Sequence, residues 1–328
     1  MTDVHELQAR DYADVSDTTG FDRALLTAES ADQHLVAVGP KLDVRARCSV
    51  WWRDTASLDG QRIGAIGHYA ANDHGSGRSV ILRALAELRS KGCDIAVGPM
   101  NGNTWRSYRF IVDRGTAKPF FLEPDNDDSW PGHFTECGFE PLSRYVSELN
   151  FDIANRQPEV GSLRRKMDRL GIRITPLNTG DPDDELDGIY DVVCEGFRDS
   201  LLYTPLDRDS YRSMYEPLLY KVDPRLILVA KHDDRVVGFI FSPPDYMQAE
   251  SGRQMDTIVI KTIAILPRRR YSGLGRLLIL DLLRNALDQD YTSAISALMH
   301  VDNRSQKISS GCAGPMRTYA LFARSVSS

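Results

Sequence analysis

The sequence has little of what would tie it to a membrane, a metal or a nucleic acid. No run of about 18 apolar residues occurs, so no segment reads as a transmembrane helix. The opening MTDVHELQARDYADVSD is polar and acidic and does not read as a secretory signal. The five cysteines, Cys48, Cys93, Cys137, Cys194 and Cys312, are odd in number and scattered. They form no CxxC pair and no Cys/His ligand spacing, which argues against a structural zinc site and leaves them as small buried hydrophobes. Basic residues are not in excess: 40 Lys and Arg stand against 46 Asp and Glu, a net charge of −6. No global basic field invites a nucleic acid or an anionic membrane. The expectation is a reduced, cytoplasmic chain with no metal and with neither nucleic acid nor membrane as partner.

What is present fits a soluble globular protein. The 328 residues are 42% hydrophobic and 26% charged, which suits two domains of about 150 residues each. In the first part, HLVAVG, ARCSVWW and RIGAIGHYAA read as strands, and residues 79–92 as a helix stopped by Gly92. CDIAVGPM reads as a buried strand and RYVSELNFD as a late one. Residues 157–171 are charged and helical in pattern, the expected connector. Beyond them come the strand IRITPLN, an acid-led helix in 181–200, and a hairpin turning at Asp233–Asp234. The strand DTIVIKTIAILP, a leucine-rich helix from near Leu274, and the strands SAISALMHV and RTYALFAR complete the chain. The order of elements is similar in both parts, as in a strongly diverged tandem duplication.

One stretch, ILPRRRYSGLGRLLILDLL (residues 265–283), places three arginines and two glycines just before that helix. A dinucleotide fingerprint needs a third glycine where Leu278 stands, and a P-loop needs GK[ST] where the chain has Gly275-Arg276-Leu277. The remaining reading is a pyrophosphate held by main-chain amides at a helix start. Glycines admit it without a Cβ in the way, and Arg270 adds charge-assisted hydrogen bonds.

The R-x-x-G-x-G turn after the strand ending Ile263-Ala264-Ile265-Leu266-Pro267 resembles motif A of the GNAT (general N-acetyltransferase) superfamily. The resemblance covers residues 172–324 and includes the upstream strand VVGFIF and Asn303 after ALMHV. It implies two GNAT-like α/β (α+β) domains, 1–156 and 172–328, joined by the helical linker 157–171. Each would be a mixed, mostly antiparallel sheet flanked by helices. It also implies acetyl-CoA or another short acyl-CoA as donor, transferred to the primary amine of a small molecule. Arg270, Tyr271, Ser272, Gly273, Leu274, Gly275 and Arg276 would hold the pyrophosphate, Ile263, Ala264 and Ile265 the pantetheine arm, and Asn303 the cofactor near its thioester.

The usual acid and base are missing. Family members often carry a glutamate where Val259 stands and a tyrosine where Ser310 stands. Tyr203, Asp256 and Tyr319 are the remaining catalytic candidates, each with an alternative as a packing or turn residue. In the first part, VGPMNGNTWRSYRF and the GF turn resemble a divergent GNAT copy. There the glycine turn is ANDHGSGRSV, with Gly75, Gly77, Arg78 and Ser79 as a second cofactor site or a relic. Asn103, Trp105, Tyr108 and Arg109 read as a ligand pocket, with Arg109 for an anion, or as a helix cap over a core tryptophan. Rival functions are an acyl-CoA sensor or scaffold without turnover, and altered acyl-CoA chemistry such as O-acyl transfer or decarboxylation.

Overall fold

The computed structural model describes residues 3–7, 16–17, 19–154, 160–180, 182–219, 221–302 and 313–326. The first part runs β1 (Asp3–Leu7), β2 (Ser16–Asp17), α1 (Ala24–Ala28), β3 (Gln33–Val38), β4 (Asp43–Trp51), β5 (Ser57–Leu58), β6 (Gln61–Ala71), α2 (His74–Ser90), β7 (Ile95–Gly98), β8 (Phe110–Asp113), α3 (Trp130–Glu136) and β9 (Glu140–Asn150). The second runs α4 (Val160–Arg169), β10 (Ile172–Pro176), α5 (Asp183–Gly196), α6 (Arg208–Leu219), β11 (Ile227–His232), β12 (Arg235–Phe241), α7 (Tyr246–Glu250), β13 (Thr257–Ile260), β14 (Thr262–Ile265), α8 (Leu274–Leu287), β15 (Ser293–His300) and β16 (Ala313–Ser325).

A large mixed, mostly antiparallel sheet and a small, wholly antiparallel one are flanked by helices, in keeping with the fold class expected. The small sheet has the order β10-β11-β12-β14, and the large one has the path β1-β3-β4-β6-β7-β16-β9-β15-β13. The strands are not dealt out in chain order. β16, the last strand, lies between β7 and β9 of the first part, pairing antiparallel with both. β15 also pairs with β9. The large sheet is thus built from both parts of the chain and passes across the expected linker.

Local sequence explains the helices. In α8, Leu274, Leu277, Leu278, Leu282, Leu283 and Ala286 form one buried stripe at 3.6-residue spacing. In α2, Val80, Ile81, Ala84, Leu85 and Leu88 do the same, and the left-handed Gly92 follows the stop. This helix starts five residues earlier than its apolar pattern, because Asp73 caps it and draws Gly75 and Gly77 into the first turn. The three acids Asp183, Asp184 and Glu185 open α5, where the helix dipole favours them.

The stretch expected as one strand is two. β13 pairs parallel with β15, whereas β14 pairs antiparallel with β12 in the other sheet. Lys261 sits at the break. Its partner strands diverge, and a wedge opens between β14 and β15. Among the described residues, no helix is long and apolar enough to cross a membrane.

Candidate active site

The wedge leads into a cavity of about 1100 Å³, slightly beyond the roughly 300–1,000 Å³ usual for small-molecule sites. One wall is residues 260–265, the facing wall residues 296–300 of β15. The cavity extends under α5 and α6 along Leu186, Ile189, Val193, Met214, Phe239 and Phe241, an apolar arm. Residues 104–109 and 122–124 of the first part close the other side.

The glycine turn stands at the outer end of β14. A 3-10 turn over Arg269–Tyr271 leads to Gly273, whose φ of +94° is the left-handed conformation that a side chain resists. No side chain caps α8 there. A Cβ on Gly275 would lie 2.7 Å from Ile265 Cδ1, so glycine is what allows the helix start to lie directly on β14. Tyr271 and Leu274 are buried anchors, and the Tyr271 hydroxyl lies 2.9 Å from His232 Nδ1. Arg270 and Ser272 are exposed, with the Arg270 guanidinium 4.8 Å over the Tyr271 ring. Linker helix α4 packs on this corner: Lys166 Nζ donates to the Ser272 carbonyl, and Arg164 pairs with Asp281. A helix start with a bare glycine N-cap, laid against an edge strand, fits the pyrophosphate and pantetheine arm of an acyl-CoA. Asn303 lies outside the described residues.

The floor of the wedge carries a polar network that sequence reasoning largely missed. Glu123 and Arg317 form an ion pair (Oε1–Nε 2.9 Å), their side chains 2% and 0% exposed. Tyr319 donates to Glu123 and lies 3.0 Å from Ser147 Oγ, which accepts from Leu298 N at 3.0 Å. Lys261 Nζ donates to the Leu122 carbonyl at 2.9 Å. Burial raises the Glu123 pKa, against the lowering effect of Tyr319 and Arg317. Burial, and then the neighbouring Arg109 guanidinium, lower that of Lys261 to about 8. Two signals were present: a single lysine within TIVIKTIAI, and a glutamate set between Leu122 and Pro124.

The predicted catalytic residues separate. Tyr203 lines the cavity; its hydroxyl lies near the Cys194 thiol and makes no hydrogen bond among the described residues. Burial pushes its pKa up. Tyr319 is buried behind Glu123. Asp256 lies at the start of β13, bound to Thr257 Oγ1 (2.7 Å) and Gln248 Nε2 (2.8 Å), away from the cavity wall.

The aromatic cluster of the first part does face the cavity. Trp105 Nε1 donates to the Thr204 carbonyl at 2.8 Å, and its ring meets Tyr203, Tyr211 and Tyr215 at 5.8, 5.9 and 6.5 Å. Asn103 Oδ1 accepts from Trp105 N at 3.0 Å, a local turn contact. The Arg109 guanidinium packs on both the Tyr108 and Tyr145 rings, 3.8 and 3.9 Å from their centroids, the rings being nearly perpendicular. The glycines of α2 lie elsewhere. Asp73 accepts from Ser76 N at 2.9 Å, Ser79 Oγ donates to the Gly75 carbonyl at 2.9 Å, and a Cβ on Gly77 would lie 2.4 Å from the Tyr69 hydroxyl. Burial raises the Cys137 thiol pKa, and the nearby Arg78 charge opposes that rise.

Comparison with known proteins agrees with this geometry. Residues 187–308 match the model of the acetyltransferase (GNAT) family. A bacterial ceramide synthase of Caulobacter vibrioides (strain NA1000 / CB15N) is 24% identical over 197 residues, 58% of this chain and 50% of that protein. The match thus spans half the length of that curated relative. A tandem GNAT protein from the clavulanic acid biosynthesis pathway, solved without AcCoA, is similar over 100% of this chain and 99% of its own, at 11% identity and a TM-score of 0.54. A probable N-acyltransferase of Enterococcus faecalis V583 is similar over 99% of this chain and 72% of its own, at 11% identity and a TM-score of 0.59. The glycine turn and split strand lie within the region that matches the GNAT family model, and the chain as a whole has the fold of a tandem GNAT protein.

Proposed function

We propose that the protein is an acyl-CoA-dependent N-acyltransferase acting on the primary amine of a small molecule, with the reaction at the floor of the wedge. The observation that carries this reading is the break at Lys261, which opens a cavity beside the bare glycine turn. The turn at residues 270–276 would hold the pyrophosphate through main-chain amides and Arg270, and the free edge of β14 would take the pantetheine arm. The donor supplies an acyl group activated as a thioester. Glu123, its affinity for a proton increased by burial, is the cavity carboxylate suited to accept one from the amine. Tyr203, held protonated by burial, is a donor on the opposite wall. Trp105 and the tyrosines around it keep water from the reacting end.

A donor with a chain longer than acetyl is a second reading, favoured by the apolar arm beneath α5 and α6. The similarity to a protein named as a ceramide synthase points toward lipid chemistry as well. Each methylene buried there contributes roughly 0.8 kcal/mol, so kcat/KM is expected to rise with chain length until the arm is full.

The test is release of free CoA thiol by the full chain from acetyl-CoA and longer acyl-CoAs, with and without a panel of amines. Amine-dependent release, reduced on the order of 100-fold in Glu123→Gln, is expected. Binding without turnover would favour a sensor, and release indifferent to amine would favour other acyl-CoA chemistry.

A further inference from the structure

Two cations stand together on the cavity wall. Arg109 is 6% exposed, and it lines the cavity with Lys261. Of the carboxylates that line the same cavity, Glu123 is committed to Arg317 and Tyr319. Glu29 lies 2.7 Å from His68 Nε2, and Asp302 is 89% exposed beside His300. Among the described residues no carboxylate pairs with Arg109. Its Nη1 donates to the Leu298 carbonyl at 3.0 Å, but its Nε finds no acceptor among the described residues. Burying an arginine charge without an anion is costly, and chains keep such an arrangement where something compensates it.

The backbone adds a second, independent sign. Arg109 has φ +78°, a conformation seldom adopted by residues with a side chain. Across the wedge, Leu298 has φ +58° at the bulge in β15. The two are joined by the Arg109–Leu298 hydrogen bond. Strain of this kind persists where the surroundings enforce it, and it gathers at ligand clamps. The Tyr108 and Tyr145 rings, nearly perpendicular to each other, pack on two sides of the guanidinium and hold it in place.

We infer that Arg109 and Lys261 form a subsite for a carboxylate carried by the amine acceptor, so that the acceptor is an amino-acid-like amine. A planar fork and a nearby point charge are the pairing that carboxylates select. The inference rests on the acyltransferase reading for its substrate, and the following measurement separates the two. Octylamine and 2-aminononanoate, which differ by one carboxylate, are titrated into the full chain at pH 7 by calorimetry, with CoA titrated in parallel. The carboxylated amine is expected to bind at least about tenfold more tightly. Lys261→Met is expected to bring the two within about twofold while leaving CoA affinity unchanged, and Lys261→Arg to restore most of the preference. Arg109→Gln gives the same test if it folds, although it also removes the clamp on Leu298. Equal or tighter binding of octylamine by the wild type, or equal weakening of both amines in Lys261→Met, would overturn the subsite. Absence of CoA binding alongside a retained carboxylate preference would remove the donor reading and leave the subsite standing.

Discussion

The chain has two helices that begin on closely spaced glycines, and it finishes them in opposite ways. At α2, the Asp73 carboxylate accepts from Ser76 N, while Tyr69 and His133 crowd Gly77. The anion that this helix start attracts is the protein's own. At α8, the N-cap is a left-handed glycine without a side-chain cap, set against the edge of the wedge. The same helix-terminal electrostatics serve stability in one place and, on the acyltransferase reading, would hold a phosphate in the other. Spacing of glycines alone does not tell the two apart; the N-cap residue does, Asp73 in one and Gly273 in the other.

The largest effect is expected from putting an acid on each helix start in turn. Gly273→Glu brings a carboxylate to the helix start and forces a side chain into a left-handed backbone, its Cβ 2.8 Å from Leu163 Cδ2 of α4. CoA affinity measured by calorimetry should fall on the order of 100-fold or more, equivalent to two charge-assisted hydrogen bonds. Gly75→Glu should change it by less than about twofold. Equal losses in both variants would erase the distinction, and no loss in Gly273→Glu would move the donor elsewhere.

A smaller contrast compares the flanking arginines. Arg270→Gln should weaken CoA by about tenfold and flatten its dependence on salt, since one screened phosphate contact is removed. Arg78→Gln should leave both unchanged. A matching response from Arg78 would indicate that the first part also takes a phosphate.

The smallest effect concerns the cap itself. Asp73→Ala should cost about 1 kcal/mol of stability, read as a fall in Tm, without adding a second CoA in native mass spectrometry. Burial raises the Asp73 pKa, but hydrogen bonds from Ser76 and the charge of Arg45 outweigh it and leave it below the ordinary 3.8. A depressed carboxylate contributes its stability above the unfolded pKa and loses it as pH falls through the folded one. The Tm difference between wild type and Asp73→Ala should therefore be full near pH 7 and shrink below about pH 4. A difference that stayed constant through that range would rule out the charged cap.

Much of the turn at α8 was legible because its parts are neighbours in sequence: Arg270, Gly273, Gly275 and a leucine stripe at helical spacing. The network at the wedge floor was not. Glu123 lies in LEPDNDD, where Asp125 and Asp128 are exposed and paired with Arg114, and the whole run reads as a solvated acidic face. Lys261 interrupts a run of strand residues, yet nothing local says that the strand changes sheets there. From its aromatic neighbours Arg109 reads either as an anion-binding residue or as part of a capped turn, and only the structure brings it to the cavity beside Lys261.

By itself the sequence determined most of the helices, though not the start of α2, and a glycine turn opening α8 at residues 270–276, because those depend on interactions within a few residues. The tertiary structure decided that β16 enters the sheet of the first part, that β13 and β14 part at Lys261, and that Glu123, Arg109 and Arg317 meet there. Strand pairing acts between residues far apart in the chain, and the charge of a buried group takes its meaning from neighbours that only this pairing brings within reach.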